Sequence, residues 1–331
     1  MDIRETLSPQ GLVFAYWLDG KGGGLALDPP SALVPGEAIL SAAHWLHFDG
    51  RHRGAVEWLR EDSGLDPVVV EGLLGRNPRP RVWVNGNEVL LSLRGLSMEP
   101  SAPADDMLSV QVWTNGGPII TCRDRPARAI ADLRRDIEHG HGPNDTGEFL
   151  SQLAERLVSA MDDLIAEAEA DTDRLGHGGS RHDTGALVEE LAGIRRRMIR
   201  LGRYLGPQRR ALSHLAASPL PWLSLEDRAL LHATAEQTAE YEDSLRSALE
   251  VAEITQDELL QRSSEKTEQR VYVLTLISAV FMPLSFVTGL FGVNLAGIPA
   301  AEDPLSFAAL GASLLVLVAV ELWIFKRQGW F

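Results

Sequence analysis

Cysteine and surplus positive charge are what this 331-residue chain most lacks. The single cysteine, Cys122, excludes an intrachain disulfide and a cysteine-rich zinc module. The formal charge of −15 argues against nucleic acid as a partner, because phosphate binding requires surplus Lys and Arg. Hydrophobic residues make up 45% of the chain, so wholesale disorder is also excluded. A chain of this length predicts about two domains.

Charge is absent from one long apolar run near the C-terminus and nearly absent from another. The first run, residues 271–291, would extend about 31 Å as a helix, the thickness of a bilayer's hydrocarbon core. The second, residues 305–325, is interrupted only by Glu321. A buried helix of a soluble protein could mimic one such run, but two of full length predict a chain that crosses a membrane twice and partners a lipid bilayer.

Positive charge flanks these two predicted spans on one side only. Lys266 and Arg270 precede the first span, Lys326 and Arg327 follow the second, and the loop between the spans contains neither Lys nor Arg. Since positive flanks stay in the cytoplasm, we expect both termini and the basic tail 326–331 inside the cell. The start of the chain lacks the layout of a secretory signal, so no cleavage is expected.

Residues 1–145 read as a cytosolic α/β domain. Strand-like runs rich in Val, Ile and Trp recur, and Asn85–Gly86 and Asn115–Gly117 are hairpin signals. Helical patterns lie around residues 54–62 and 126–138. Lys21 lies in a glycine run without the spacing of a phosphate loop, which predicts a turn.

Residues 146–270 read as long acidic helices and a stalk. We predict helices over 147–175, 183–215 and 224–291, the last with Ser224 as N-cap. The third helix would extend about 100 Å, so it must pack against neighbours or copies of itself. Twelve acids and five bases lie between Glu226 and Arg270, although a solvated helix face explains any one of them. The predicted fold class is an α+β membrane protein: an N-terminal α/β domain, a helical stalk and two C-terminal spans.

A short tripeptide, Gly292-Val293-Asn294, follows the first span and opens the outer segment 292–304. Polar backbone at membrane depth survives only where it lines protein or a water-filled cavity. A Gly-x-Asn turn at a helix end offers free carbonyls and an amide oxygen, all of which accept cations. A plain glycine cap followed by a loop is the alternative that these residues alone leave open.

The stretch FMPLSFVTGLFGVN (281–294) resembles the end of the pore helix in the CorA family of divalent-cation transporters. Family members share a proline before a Gly-Met-Asn-type tripeptide, two spans near the C-terminus and a basic tail, which here is KRQGWF. Val293 stands where the magnesium channels have Met. Together with LGRYLGPQRRAL (201–212), this departure is similar to the ZntB branch, which is associated with zinc transport. The resemblance covers roughly the last 110 residues well, and the N-terminal domain only in general layout.

The resemblance implies a homopentameric funnel in the bacterial inner membrane, with a central pore formed by five first spans. It implies Zn²⁺ as the transported ion, with Mg²⁺, Co²⁺, Ni²⁺ and Cd²⁺ as further candidates. Coupling to protons and the direction of transport are left open. No bound cofactor and no enzymatic activity are expected, because no Ser–His–Asp order or nucleotide-binding motif stands out.

Helical spacing independently predicts a pore stripe on the first span. Stepping back from Asn294 gathers hydroxyls on one side of the helix and leaves most of the bulky apolar residues elsewhere. The membrane part of the stripe is Val271, Leu274, Thr275, Ser278, Met282 and Ser285, and its cytosolic part is Asp257, Gln261, Ser264 and Glu268. Val271 and Leu274 would form an apolar constriction that gates by dewetting. Hydroxyls that bond back to their own helix are the alternative.

Carboxylates outside the stripe are further candidates. Glu302 and Asp303, in the outer loop, would repeat around a pore mouth and raise the local concentration of divalent cations, if they are more than solvated loop acids. Glu321 in the second span is expected to pair or snorkel, with proton handling as the sharper alternative. The tail residues Lys326, Arg327 and Trp330 are expected to anchor the span at the interface.

Ligand chemistry does not select the ion. Zinc favours nitrogen and sulfur ligands, but the predicted stripe has no Cys or His, so its oxygens suit a hydrated cation. The pairs His139/His141 and His177/His182 could hold cytosolic zinc, although loop or helix-end roles are expected. Two other functions stay open: a magnesium or cobalt channel of the same architecture, and a membrane-anchored scaffold without transport.

Overall fold

The computed structural model describes residues 8–28, 44–76, 79–98, 106–177, 184–293 and 305–328. The chain divides into two compact units, Met1–Gln256 and Asp257–Phe331, here called the first and second units. The first unit contains the α/β part together with the helices that follow it. The predicted fold class, with its long helix and two apolar C-terminal helices, is confirmed. The domain bounds stay predictions.

The first unit is built on a seven-stranded sheet with the order β2-β1-β3-β7-β6-β5-β4. The strands are β1 Leu12–Leu18, β2 Gly24–Ala26, β3 His44–Asp49, β4 Arg81–Asn85, β5 Glu88–Leu96, β6 Met107–Thr114 and β7 Ile119–Arg123. Neighbouring strands are antiparallel except β3 and β7, which run parallel. Both predicted hairpins form, β4–β5 at Asn85–Gly86 and β6–β7 at Asn115–Gly117.

Eight helices lie within the described residues. They are α1 Arg53–Glu61, α2 Pro67–Leu73, α3 Arg128–Glu138, α4 Thr146–Ser159, α5 Asp162–His177, α6 Thr184–Ala217, α7 Leu225–Phe291 and α8 Leu305–Arg327. The prediction of one helix over 147–175 is wrong, because the chain turns at Ala160–Met161. There the Met161 N–H bonds to the Val158 carbonyl, three residues back, and the Met161 side chain is buried.

Helices cover both faces of the sheet. On one face, Trp58 and Leu59 of α1 and Val70 of α2 share a buried cluster with Phe48 of β3 and Trp113 of β6. On the other face, the Trp45 ring of β3 meets the Phe149 ring of α4 with 4.9 Å between centroids. Cover on both faces explains why nearly every residue of the central strands β6 and β7 is buried.

Local sequence signals fix the start of the long helix and the loop at Lys21. The Ser224 hydroxyl accepts from the Asp227 N–H, and the Asp227 carboxylate accepts from the Ser224 N–H, which is a reciprocal cap on α7. The Asp19 carboxylate accepts from the N–H groups of Lys21 and Gly23 at 2.7 and 2.9 Å. The predicted turn at Lys21 is therefore confirmed.

Candidate ion pathway

The second unit carries the two helices that are long and apolar enough to cross a membrane, the end of α7 and all of α8. No residue of either apolar window is buried within the protein. Large apolar side chains are solvent-exposed along α7: Leu274 is 63%, Met282 is 72% and Phe286 is 70% exposed. An apolar surface of this extent needs lipid or other protein against it. This exposure removes the alternative of a core helix in a soluble protein.

Every predicted stripe residue lies on the uninterrupted helix α7. By the α-helical rotation, the positions from Asp257 to Ser285 fall within an arc of about 120°, and only Leu274 lies slightly outside it. All of them are solvent-exposed in the isolated chain. The stripe therefore forms one continuous uncovered face.

A different side of α7 is partly covered. Between residues 271 and 293, the half-buried side chains are Leu276, Ala279, Val280, Pro283, Leu284 and Val287. Their centre lies more than about 100° around the helix from the centre of the stripe. The partly covered side and the stripe thus lie on different sides of α7, as expected of a helix that packs on one side and faces water on another.

Two hydroxyls of the stripe bond to their own helix. The Thr275 Oγ1 donates to the Val271 carbonyl and the Ser278 Oγ donates to the Leu274 carbonyl, both at 2.8 Å. The back-bonding alternative is therefore realised in this chain. It uses the hydroxyl hydrogens and leaves the oxygen lone pairs as acceptors, which suits a cation or its water shell.

Pro283 lies inside α7 without ending it. Proline has no N–H, so the Ala279 carbonyl loses the donor that residue 283 would otherwise supply. Ala279 lies at the edge of the stripe by helical rotation. One more carbonyl oxygen without an intrahelical donor is thus available at the edge of the stripe.

The helix ends at Phe291, directly before the predicted tripeptide. The Gly292 N–H donates to the Thr288 carbonyl at 2.9 Å and to the Gly289 carbonyl at 3.2 Å, and Val293 is 45% exposed. Asn294, Glu302 and Asp303 lie outside the described residues. The assigned roles of the tripeptide and of the outer-loop acids stay predictions.

The second span holds one ionisable side chain at depth. Glu321 is half-buried, and its Oε2 atom has no hydrogen-bond partner among the described residues. Near the end of α8, the Arg327 guanidinium lies 5.4 Å from the centre of the Trp323 ring. Such an Arg–Trp pair is typical of the membrane–water interface. Trp330 lies outside the described residues.

No group of three or more His, Cys, Asp or Glu side chains forms a metal site in the part of the chain that the structure describes. His139 caps α3, where its Nδ1 lies 2.6 Å from the Arg135 carbonyl oxygen. This contact fits the helix-end role expected for the His139/His141 pair. His182 lies outside the described residues, and so does the side chain of His177.

Comparison with known proteins covers nearly the whole chain. The family model of the CorA-like Mg²⁺ transporter protein matches residues 41–327. The zinc transport protein ZntB of Yersinia enterocolitica is 30% identical over 334 residues, which cover 100% of both chains. The divalent cation transporter CmaX of Pseudomonas aeruginosa is 32% identical over 338 residues, again 100% of both.

The similarity extends to a solved structure. The structure of full-length CmaX matches with a TM-score of 0.82 at 32% identity, and the match covers 98% of this chain and 99% of that one. The likeness therefore includes the α/β part, the long helix and both apolar helices.

Proposed function

This chain belongs to the CorA-like Mg²⁺ transporter family, and from that premise we propose that it transports divalent metal cations, chiefly zinc, across the bacterial inner membrane. The observation that carries the proposal is the uncovered stripe of α7, a continuous exposed face from Asp257 to Ser285 on which most of the predicted side chains are polar. Relatives of 30–32% identity named for zinc and for divalent cations support it.

The pathway requires more than one copy of the chain. Two spans cannot enclose a channel, so the stripes of several α7 helices must face one another in a closed ring. A homopentamer is the assembly that we propose, with five first spans around the pore. Both termini would lie in the cytoplasm, since Lys266, Arg270, Lys326 and Arg327 flank the spans on that side.

Selection would take place where the helices end. The Gly292 carbonyl and the Asn294 amide oxygen from each copy would form a collar that binds a hydrated cation through its water shell. Glu302 and Asp303 would concentrate cations outside this collar. Val271 and Leu274, at the cytosolic end, would close the pathway by dewetting.

A magnesium or cobalt channel is the second candidate, and the donor chemistry favours it. The stripe has no Cys or His, and apart from the Met282 thioether its metal-binding atoms are oxygens; magnesium prefers oxygen ligands and keeps several waters. Zinc prefers nitrogen and sulfur ligands, but a zinc ion that stays hydrated does not need them. Ion competition separates the two candidates.

The test is flux into liposomes that contain the purified protein and an ion-sensitive dye, with zinc and magnesium competing, with and without a pH gradient. We expect the zinc flux to fall about tenfold or more in Asn294→Ala, because the substitution removes one collar ligand from every subunit of the ring. The control is Ser313→Ala in α8, whose hydroxyl bonds to the Leu310 carbonyl at 2.7 Å. Unchanged flux in Asn294→Ala would contradict the selectivity site, and no flux of any ion would favour the scaffold.

A further inference from the structure

A polar cavity of about 650 Å³ lies in the first unit, where β3 and β7 end and β6 begins. Its charged and hydroxyl lining comes from separate parts of the sequence: Arg51, Arg76, Asp106, Ser109, Asp124 and Arg125. This volume falls in the usual range for small-molecule sites. The cavity is far larger than a single ordered water requires.

The topology of the sheet places this cavity at a switch point. β3 and β7 are parallel neighbours, so their carboxyl ends meet at the same edge. The chain leaves β3 into α1, which packs on the face of Phe48, whereas it leaves β7 into α3 on the opposite face, where Arg134 lies 4.9 Å from the Phe14 ring centre. Crevices at the carboxyl ends of strands that diverge in this way are the usual ligand sites of parallel sheets.

The lining of the cavity carries three arginines and two aspartates, so its formal charge is positive. Arg125 is held by Asp106, which accepts hydrogen bonds from both of its terminal nitrogens. This pairing lowers the pKa of the Asp106 carboxyl below its ordinary value. Arg51 and Arg76 are exposed, and neither guanidinium forms an ion pair with a described residue. Two arginines that form no ion pair with a described residue thus border a cavity in a chain whose net charge is −15.

One of the residues that line the cavity, Ser109, has a buried hydroxyl. Ser109 is 1% exposed, and its Oγ has no hydrogen-bond partner among the described residues. Its cross-strand neighbour Arg94 is also 1% exposed, and the Arg94 guanidinium lies 4.2 Å from the Tyr204 ring centre. A buried hydroxyl without a partner is uncommon because it costs stability, and a ligand acceptor would satisfy it.

We infer that this cavity binds a small phosphorylated anion, of about the size of a nucleoside monophosphate. Arg51 and Arg76 would donate to phosphate oxygens, since the guanidinium fork matches phosphate geometry. The Ser109 hydroxyl would donate to a further oxygen of the ligand. The site is independent of the ion pathway, which lies in the other unit.

Calorimetric titration of the full-length protein in detergent, with EDTA present, tests the inference with two probes, adenosine monophosphate and inorganic phosphate. We expect saturable binding that weakens at least about tenfold when Arg51→Ala and Arg76→Ala are combined, because two charge-assisted hydrogen bonds are lost. Both side chains are exposed, so the fold should persist. Ser109→Ala should weaken binding severalfold.

The matched control is Arg53→Ala, which removes the same charge two residues from Arg51. Arg53 is 90% exposed and pairs with Glu57 at 2.7 Å, outside the cavity lining, so affinity should not change. Tighter binding of the monophosphate than of phosphate would show that the nucleoside part contributes, and equal binding would identify free phosphate as the ligand. Absence of binding by both probes, or equal weakening in Arg53→Ala, would overturn the inference.

Discussion

At the scale of single residues, Arg228 holds the connection between α6 and α7. Its guanidinium donates to the carbonyl oxygens of Ala216, Ser218, Leu220 and Leu223, at 2.9, 2.5, 2.8 and 3.2 Å respectively. Helix ends leave carbonyls without intrahelical donors, and one fork here satisfies those of α6 and of the following turn. The side chain thereby fixes the point from which the long helix departs.

Replacing Arg228 by alanine should therefore destabilise the first unit. We expect a loss of about 2–4 kcal/mol, because hydrogen bonds to a charged donor are removed and several carbonyls are left without partners. The apparent Tm of the full chain, followed by tryptophan fluorescence, measures this loss. Arg246→Ala is the control, since its exposed ion pairs contribute little; an equal fall in both variants would contradict the assigned role.

His47 makes the stability of the first unit depend on pH. The ring is fully buried, and burial lowers its pKa well below the ordinary value, with the charges of Arg123 and Arg134 adding to the effect. Its Nδ1 lies 2.7 Å from the Thr121 hydroxyl. The folded chain keeps the ring neutral, whereas the unfolded chain protonates it near pH 6.5.

Stability should therefore be complete above about pH 6.5 and fall as the pH drops below it towards the lowered pKa of His47. The apparent Tm measured between pH 7.5 and 5.5 should show this fall, and His47→Gln should flatten it. His232→Gln, at an exposed ring that pairs with Glu236, should keep the fall. A pH profile unchanged in His47→Gln would assign the effect to other groups.

At the scale of elements, Thr275 and Thr288 form a natural matched pair on α7. Each donates its hydroxyl to the carbonyl four residues back, at 2.8 and 2.9 Å. Thr275 lies within the stripe, whereas Thr288 lies about 120° from the centre of the stripe by helical rotation. The two side chains thus share their local bonding and differ in the face that they occupy.

Thr275→Val should reduce zinc flux in liposomes severalfold, because an oxygen that stabilises a hydrated cation is lost from the pathway. Thr288→Val should leave flux nearly unchanged. Helix stability should change equally little in both, since both lose the same bond to the backbone. A larger effect at Thr288 would mean that the pathway follows another face of α7.

Elements with local signals could be predicted from the sequence, and others could not. Asn85–Gly86 set a hairpin, and Ser224 with Asp227 set the start of α7. Strand β3 (His44–Asp49) was not predicted, because it is buried on both faces and shows no alternation. The turn at Ala160–Met161 depends on the packing of the Met161 side chain in the core, which local helix propensity does not encode.

The stripe and the cavity also differ in whether a local sequence signal predicts them. The predicted stripe residues lie on one helix, so helical spacing was enough to predict that they share a face, and their role in an ion pathway stays a prediction. The cavity brings Arg51, Arg76 and Ser109 together from separate parts of the sequence, and the pairing of β7 with both β3 and β6 contributes to this. No short sequence motif indicates that these residues lie close together in the fold, so the sequence does not predict the cavity.

At the scale of the whole molecule, the account depends on the uncovered stripe of α7 facing water within an assembly. Thiol accessibility tests this directly, because the native chain has little reactivity of its own towards thiol reagents. Its single cysteine, Cys122, is 1% exposed, and burial raises the pKa of its thiol well above the ordinary value. A thiol of this kind does not react readily.

The decisive measurement is zinc flux before and after treatment with a membrane-impermeant cationic thiol reagent, in liposomes that contain Ser278→Cys or Val280→Cys. Ser278 lies in the stripe, and Val280 lies about 160° around the helix, on the partly covered side. We predict that the reagent modifies Ser278→Cys and blocks flux, while Val280→Cys keeps its flux. Block at Val280→Cys with none at Ser278→Cys would contradict the account.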